Sequence, residues 1–306
     1  MKGLAFIFRN RVCPSWDRGY SVRILLAVLV CIFALFDGSP LNAGDFWPLD
    51  IRKIKERGKI IVAQYSGEQP GFFAFDEVGE YPNQPSYIFQ GRRLIGCDIV
   101  LASRIAQELG VKLELDRSSK DFNMVCQLVA SGRADIGISK LSVTLDRAQY
   151  LRFTSPYAVL RTGILIDRLF ASKSNIETNV LALNNHPGAR IGVLQASSYV
   201  DFAKSIFPKA NLVQYSDLES MLKAVMRGEV LAIYGEELEI LHSLHNNPRI
   251  ALQLRFFAVP DFKDTIAIAV SPTSPNLLAF INLFLDLKQM KTELKGFLKP
   301  TFYKTW

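Results

Sequence analysis

The sequence predicts an α/β fold of two lobes, each built on a largely parallel sheet. Apolar runs of strand length alternate with segments of helical periodicity, and this alternation occurs twice along the chain. The joins also match, because ASGRADIGIS and VMRGEVLAIYG each contain a helix end, a glycine stop and an apolar strand. Two successive β-α-β-α-β series therefore predict two such lobes.

The first half of the chain contributes five elements. Its first helix is well defined, because Ile99, Ala102, Ile105 and Leu109 repeat at helical spacing and Gly110 ends the repeat. In order, the elements are the strand KIIVAQY (59–65), the helix GCDIVLASRIAQELG (96–110), the strand VKLEL (111–115), the helix DFNMVCQLVASG (121–132) and the strand RADIGIS (133–139).

The second half repeats this scheme. Its elements are the strand ARIGVLQ (189–195), the helix SYVDFAKSIF (198–207), the strand NLVQY (211–215), the helix DLESMLKAVMRG (217–228) and the strand EVLAIYG (229–235). A late block, DTIAIAV (264–270) followed by the helical NLLAFINLFLDLKQM (276–290), resumes the pattern and could complete either lobe.

Residues 73–95 fit no regular element. Pro82, Pro85 and glycines predict a long loop, with a hairpin around Gln90-Gly91. A loop of this size is either functional or a surface elaboration.

Composition restricts the class of protein. Apolar residues make up 49% and charged residues 21% of the 306, which is typical of a globular chain with a core. The net charge is +7, and the first 43 residues carry +3 of it, so about +4 is spread over the rest. Because that remainder contains no Lys/Arg run, the charge argues against a nucleic-acid partner.

Residues 1–43 read as a secretory signal peptide. A basic region ending at Arg23 precedes the apolar run ILLAVLVCIFALF (24–36), and DGSP then breaks the helix. The run is shorter than the ~20 residues that span a bilayer. We expect cleavage after Ala43, with lipidation at Cys31 and an uncleaved anchor as alternatives. Each places residues 44–306 outside the cytoplasm, in the periplasm or its equivalent.

Two cysteines, Cys97 and Cys126, lie beyond the signal segment. An oxidising compartment permits a bridge between them, but free buried thiols are favoured. The three histidines are not joined by Cys or Asp at metal-ligand spacing. We therefore expect neither a metal nor a cofactor.

Ligands of parallel α/β folds gather beyond the carboxyl ends of strands, where helix N-termini offer free N–H groups. Four segments follow the carboxyl ends of predicted strands: 66–75, 139–147, 195–198 and 235–237. Together these segments contain Arg147, hydroxyl groups, carboxylates and aromatic rings, a set that suits a small zwitterionic ligand.

Two segments carry recognisable motifs. GCDIVLASRIAQELGVKLE (96–114) is similar to the block G-F-D-x-D-L-A-x-x-I-A-x-x-L-G, and SGRADIGISKLSVTLDRAQYLRFTSPY (131–157) is similar to the series S-G-x-x-D, T-x-x-R and F-S-x-P-Y. In these motifs the chain resembles family 3 extracellular solute-binding proteins, which serve ABC importers of polar amino acids. The likeness extends from about Gly58 to about Leu298.

The resemblance implies a type II periplasmic-binding-protein-like bilobed fold with a two-segment hinge. Lobe 1 would take residues 44–161 and 268–306, and lobe 2 residues 162–267. The implied function is to capture a polar amino acid between the lobes and deliver it to the permease of an ABC importer. We expect a monomer.

The resemblance also implies which residues bind the ligand, because positions of this sequence can be matched to the family's binding residues. Arg147 matches the residue that pairs with the ligand α-carboxylate, helped by Ser142 and Ser198. Glu236 matches the acidic residue that takes the α-ammonium, helped by Ser139. Each residue also has a simpler interpretation. Arg147 could form a surface ion pair with Asp146, and Ser198 could be a helix N-cap. Glu237, which is adjacent to Glu236, could take the ligand-binding role instead.

Aromatic residues are the remaining expected contacts. Phe122 matches an aromatic that packs on the ligand side chain, with core packing as its alternative. Phe72 ends Glu68-Gln69-Pro70-Gly71-Phe72, which stands where the family has Tyr-x-Pro-Phe, so the aromatic lid is altered.

Lys140 stands where the family usually has a small residue, and Cys97 replaces the usual Phe. We hypothesise that Lys140 either meets an acidic ligand side chain or partly fills the pocket, with a solvated lysine as the alternative.

A binding protein is predicted rather than an enzyme. A few relatives of the fold resemble dehydratases acting on prephenate or arogenate, in which a cleft carboxylate acts as general acid, a role open to Glu236 or Glu237. A free-standing ligand sensor is a further alternative.

Overall fold

The computed structural model describes residues 46–79, 81–174 and 180–294. The predicted signal peptide lies outside the described residues. The chain divides into two units, 1–47 and 48–306. Of the first unit only Phe46 and Trp47 are described, and both are exposed. Within the described residues, no helix is long and apolar enough to cross a membrane.

Strands and helices alternate through the second unit. The strands are β1 (Lys59–Tyr65), β2 (Ala74–Phe75), β3 (Ser86–Phe89), β4 (Arg92–Ile95), β5 (Lys112–Ser119), β6 (Ile136–Gly137), β7 (Arg152–Phe153), β8 (Ala158–Asp167), β9 (Arg190–Leu194), β10 (Asn211–Tyr215), β11 (Ala232–Glu236), β12 (Leu254–Ile266) and β13 (Ala269–Val270). The helices are α1 (Leu49–Arg57), α2 (Cys97–Leu109), α3 (Phe122–Ala130), α4 (Leu145–Ala148), α5 (Arg168–Ser174), α6 (Val180–Asn185), α7 (Tyr199–Ile206), α8 (Leu218–Met226), α9 (Glu237–Asn246), α10 (Pro248–Gln253), α11 (Pro275–Leu287) and α12 (Met290–Leu294).

Helix ends follow the predicted signals. The carboxylates of Asp121 and Asp217 cap α3 and α8 by accepting the N–H groups of Met124 and Ser220, each at 2.7 Å. Gly110 ends α2 in the left-handed region, at φ 65°. The order of elements predicted for both halves is confirmed.

Two five-stranded sheets organise the unit. The first has the order β5-β1-β6-β13-β7, and the second β10-β9-β11-β8-β12. In each sheet the first three strands are parallel, and the remaining pairings are antiparallel. Separate apolar clusters pack on the two sheets. The late helix α11 joins the first cluster through Leu277, Ile281 and Phe284.

The chain passes between the sheets along two adjacent segments, 154–157 and 267–268. Thr154 N–H donates to the Ile268 carbonyl at 3.0 Å, and Tyr157 N–H donates to the Ile266 carbonyl at 3.0 Å. β12 then continues antiparallel to β8, with Ile266 opposite Ala158. The two crossing segments are therefore hydrogen-bonded to each other.

Residues 74–95 form a small antiparallel sheet of order β2-β4-β3. The predicted hairpin is present at Gln90-Gly91, where both residues have positive φ, 51° and 78°. Two such residues form the turn type that suits a two-residue hairpin. The long loop is thus a structured insertion.

Cys97 and Cys126 are both buried and free. The preference for free thiols over a bridge is confirmed.

Candidate functional site

A cleft lies where the strands of both sheets end. It encloses about 540 Å³ of space between atoms, part of it open to solvent. All four segments selected by the strand-end rule contribute to its wall. The polar groups of that wall come from Gln69, Lys140, Ser142, Arg147, Ser197, Ser198, Tyr199, Tyr234, Glu236 and Glu239.

Arg147 lies on the short helix α4, whose N-cap Thr144 accepts the Arg147 N–H at 3.2 Å. Its side chain is buried, at 5% exposure. The guanidinium donates to the Ser142 carbonyl at 3.1 Å and to Asn123 Oδ1 at 3.4 Å. Both acceptors are neutral and neither is Asp146. Burial raises the pKa of the Asp264 carboxylate, and the Arg147 charge acts to lower it.

The predicted hydroxyls meet at a buried carboxylate. Ser142 Oγ donates to Asp264 Oδ2 at 2.9 Å, and Ser198 Oγ donates to Ser142 Oγ at 2.7 Å. Tyr199 OH also donates to Asp264 Oδ2, at 3.1 Å. Burial raises the pKa of Asp264, and these hydrogen bonds oppose the increase. Ser198 occupies the N-cap position of α7 but makes no capping hydrogen bond.

Lys140 is buried in the cleft wall, at 7% exposure, so it is not a solvated lysine. Its ammonium donates to Gln69 Oε1 at 2.7 Å and to Glu236 Oε2 at 3.3 Å, and it lies 3.5 Å from Glu239 Oε2. The Phe72 ring centroid is 5.6 Å away. Burial alone would lower the pKa of Lys140, but the two carboxylates outweigh it and raise that pKa.

Glu236 ends β11 and caps α9. Its carboxylate accepts the N–H groups of Leu238 at 2.6 Å and Glu239 at 3.0 Å. Burial raises the pKa of Glu236, and Lys140 opposes that increase. The neighbouring Glu237 instead pairs with Arg161 on β8, with Nη2 to Oε1 at 2.8 Å. Glu236 is therefore the residue that faces the cleft.

Asp98 supports the turn that carries Lys140. Lys140 has a left-handed backbone, φ 49°, and its N–H donates to Asp98 Oδ2 at 2.9 Å. Tyr157 OH, from a crossing segment, donates to Asp98 Oδ1 at 2.8 Å. Burial raises the pKa of Asp98 to about 7, against the effect of these bonds.

The other predicted residues divide between the cleft and the layer behind it. Phe122 lines the cleft, and its ring lies 5.1 Å from that of Tyr65. Ser139 and Phe72 are fully buried behind the lining. Ser139 Oγ accepts the Tyr65 N–H at 3.0 Å.

Several polar residues of the site were not singled out from the sequence, among them Gln69, Tyr199, Glu239 and Asp264. Glu239 had a usable signal, because it lies three residues after Glu236 on the same helix face. Gln69 falls in the altered lid segment, and Tyr199 follows Ser198. Asp264 had no local signal, because its place depends on the pairing of β12 with β8.

Comparisons with known proteins show the family of the chain. The family model for bacterial extracellular solute-binding proteins, family 3, matches residues 77–299. A membrane-bound lytic murein transglycosylase F from Idiomarina loihiensis is 27% identical over 199 residues, which are 61% of this chain and 42% of that protein. The chain thus spans less than half of that relative's length.

Two further proteins match over longer shares. A cyclohexadienyl dehydratase from Pseudomonas aeruginosa is 25% identical over 224 residues, 72% of this chain and 73% of that protein. An amino acid ABC transporter substrate-binding protein from Streptococcus pneumoniae, solved bound to L-arginine, is 26% identical with a TM-score of 0.61. That structural match covers 81% of this chain and 95% of the other.

Proposed function

Because the chain belongs to the bacterial extracellular solute-binding proteins, family 3, we propose that it captures a polar amino acid outside the cytoplasm and delivers it to an ABC importer. The match over residues 77–299 confirms the family that the motifs predicted. The solved neighbours confirm the type II periplasmic-binding-protein-like fold. The L-arginine bound by the Streptococcus pneumoniae relative supports an amino acid as the class of ligand.

The observation that carries this proposal is the buried Arg147 guanidinium, whose hydrogen bonds go only to neutral oxygens. A planar guanidinium forms two parallel bonds with a carboxylate, and each charge-assisted bond contributes about 1.5–3 kcal/mol. We assign the ligand carboxylate to Arg147, with Ser142 and Ser198 beside it. The α-ammonium is assigned to the Glu236 side, with Ser139 behind it, and the ligand side chain to Phe122. Phe72 is assigned to the layer behind the lining, against Lys140, rather than to a lid.

The resemblance implies lobes of residues 44–161 with 268–306, and residues 162–267. Because β8 begins at Ala158 in the second sheet, we propose that the first boundary lies at the crossing segment 154–157. The paired crossing segments between the two sheets would act as the hinge. A ligand that contacts wall residues following strands of both sheets favours the conformation in which those strands approach. Binding would therefore drive closure.

The similarity to the Pseudomonas aeruginosa cyclohexadienyl dehydratase suggests a dehydratase-like reaction as the alternative. A general acid must carry a proton to donate. Burial raises the pKa of Glu236, but its carboxylate accepts two backbone N–H groups and the Lys140 ammonium, and these three contacts stabilise the ionised form. Glu237 is held by Arg161 on β8. These contacts favour binding without reaction.

We expect the protein, purified after expression of the full chain, to show a thermal shift with one or more amino acids in a panel that also holds dicarboxylates and prephenate. The Arg147→Ala variant should then bind that ligand at least about tenfold more weakly. Arg152→Ala is the matched control, because Arg152 is exposed and donates only to the nearby Ala148 and Leu151 carbonyls.

Wild-type affinity in the Arg147→Ala variant would contradict the assigned carboxylate site. Turnover of prephenate would replace the binding function with an enzymatic one.

A further inference from the structure

The Lys140 ammonium already has the surroundings that a ligand ammonium would need. It has one amide oxygen and two carboxylates around it, from Gln69 at 2.7 Å, Glu236 at 3.3 Å and Glu239 at 3.5 Å. The Phe72 ring adds an aromatic face within the range of a cation–π contact. An ammonium has three N–H donors, so these three oxygens are enough to satisfy it.

A second ammonium would have to share these oxygens with Lys140. Glu236 is further committed to the N–H groups of Leu238 and Glu239. Two ammonium groups bound to the same carboxylates also repel each other, and the repulsion is strong where water is largely excluded. The Lys140 side chain is 6% exposed. An amino acid in this cleft therefore gains less from its α-ammonium than it would from an unpaired Glu236.

At the carboxylate end of the cleft the fixed charges are the Arg147 guanidinium and the buried Asp264 carboxylate, to which the Ser142 hydroxyl donates. Arg147 and Lys140 project from the same segment, but the hydrogen bonds of Arg147 go to neutral oxygens while Lys140 is held by carboxylates. A solute that has a carboxylate but a neutral oxygen in place of the α-ammonium keeps the Arg147 contact. It also leaves the Lys140 pairing intact.

We propose that Lys140 fills the ammonium subsite of this cleft, so that the site takes 2-hydroxy and 2-oxo carboxylates as readily as the corresponding amino acids. The inference rests on the proposed function for the carboxylate site, and it assigns Lys140 as a residue that determines specificity. In this role Lys140 removes the selection for an α-ammonium.

The test uses pairs of ligands that differ only at the α position. Isothermal titration calorimetry at pH 7.5 would compare alanine with lactate, aspartate with malate, glutamate with 2-hydroxyglutarate, phenylalanine with phenyllactate, and arginine with argininic acid. For any pair that binds, we expect wild-type Kd values within about threefold of each other, or tighter binding of the hydroxy acid. In Lys140→Met the amino acid should gain at least about tenfold over its partner.

Lys223→Met is the matched control, since Lys223 is exposed and pairs with Glu219 at 2.6 Å on the surface of α8. It should leave the ratio of the two Kd values unchanged. The wild-type ratio is informative by itself, so the test stands even if Lys140→Met folds poorly.

A wild-type preference for the amino acid of more than about threefold would overturn the inference while supporting the proposed function. The inference is also wrong if the wild type binds both members of a pair with similar Kd values and Lys140→Met leaves the ratio of those Kd values unchanged. An amino acid that binds in the thermal-shift panel joins the test with its own hydroxy acid. If no amino acid of the panel and no member of any pair binds, the proposed function is wrong, and this inference with it.

Discussion

The Asp98 carboxyl is fully buried beneath the Lys140 turn, where it accepts hydrogen bonds from Lys140 N–H and Tyr157 OH. Burial raises its pKa to about 7, although these bonds and the Cys97 thiol oppose the change. An unfolded chain has an aspartate pKa near 3.9. The folded protein therefore binds more protons between about pH 4 and pH 7. The stabilising contribution of Asp98 is full below pH 4 and is lost as the pH rises through 7.

We expect this group to lower the free energy of unfolding by about 4 kcal/mol between pH 4 and pH 8. In Asp98→Asn that part of the pH dependence should disappear. Urea unfolding at half-unit steps from pH 4 to pH 8 measures both curves. Burial also raises the pKa values of Glu236, Asp264 and Asp135. Because both the wild type and Asp98→Asn contain those groups, the difference between their two stability curves is due to Asp98. Parallel curves would contradict the assignment.

The start of α2 fixes the segment that follows β1. Cys97 N–H donates to the Gly71 carbonyl and Asp98 N–H to the Phe72 carbonyl, each at 3.0 Å. This close approach needs a glycine at position 96, where φ is 119° and a Cβ would lie 2.3 Å from the Phe72 carbonyl oxygen. Gly96 thus positions Asp98 on one side and the Gln69 segment on the other, and both support Lys140.

Gly96→Ala should lower the free energy of unfolding by about 3 kcal/mol or more, because it combines a backbone clash with an unfavourable φ. The control is Gly58→Ala. Gly58 also has a positive φ, 71°, but nothing lies within 4 Å of an added Cβ, so the expected loss is about 1–2 kcal/mol. Equal losses for the two variants, measured by urea unfolding, would show that the close approach at Gly96 contributes nothing.

At the scale of the whole second unit, two apolar cores are joined through two crossing segments that pair with each other. The cleft between the sheets is held by side chains from both, as in the Ser142–Ser198 bond and the Lys140–Glu236 pair. A ligand that bridges these residues should affect both sheets together.

Hydrogen exchange with short labelling times should register this coupling. With a ligand from the amino acid panel at saturation, we expect slower exchange at 139–147, 195–199 and 235–239 together. The insertion sheet β2–β4 contributes no residue to the cleft wall and should change least, which makes it the internal control. Protection confined to the segments of one sheet would contradict capture between the two.

Much of the fold was readable from the sequence, because helix ends such as Gly110 and Asp121 are set by local chemistry. Arg147 and Ser198 were also predictable as cleft residues, since strand ends converge in such folds. Contacts between residues far apart in the chain could not be predicted from the sequence. Ser142 meets Asp264 across 122 residues, and β12 shifts its register between Ala258 and Lys263. No pattern within a short window encodes that register, so the carboxylate at Asp264 emerged only from the fold.

The two buried thiols have a practical consequence. Within the described residues, Cys97 and Cys126 are the cysteines present, and neither is accessible to a reagent. With the predicted signal peptide removed, a cysteine introduced at Glu219 would offer a single attachment point for a dye. Glu219 is exposed on α8, next to Leu218 of the cleft wall. The protein is thus suited to conversion into an optical sensor that reports its own solute.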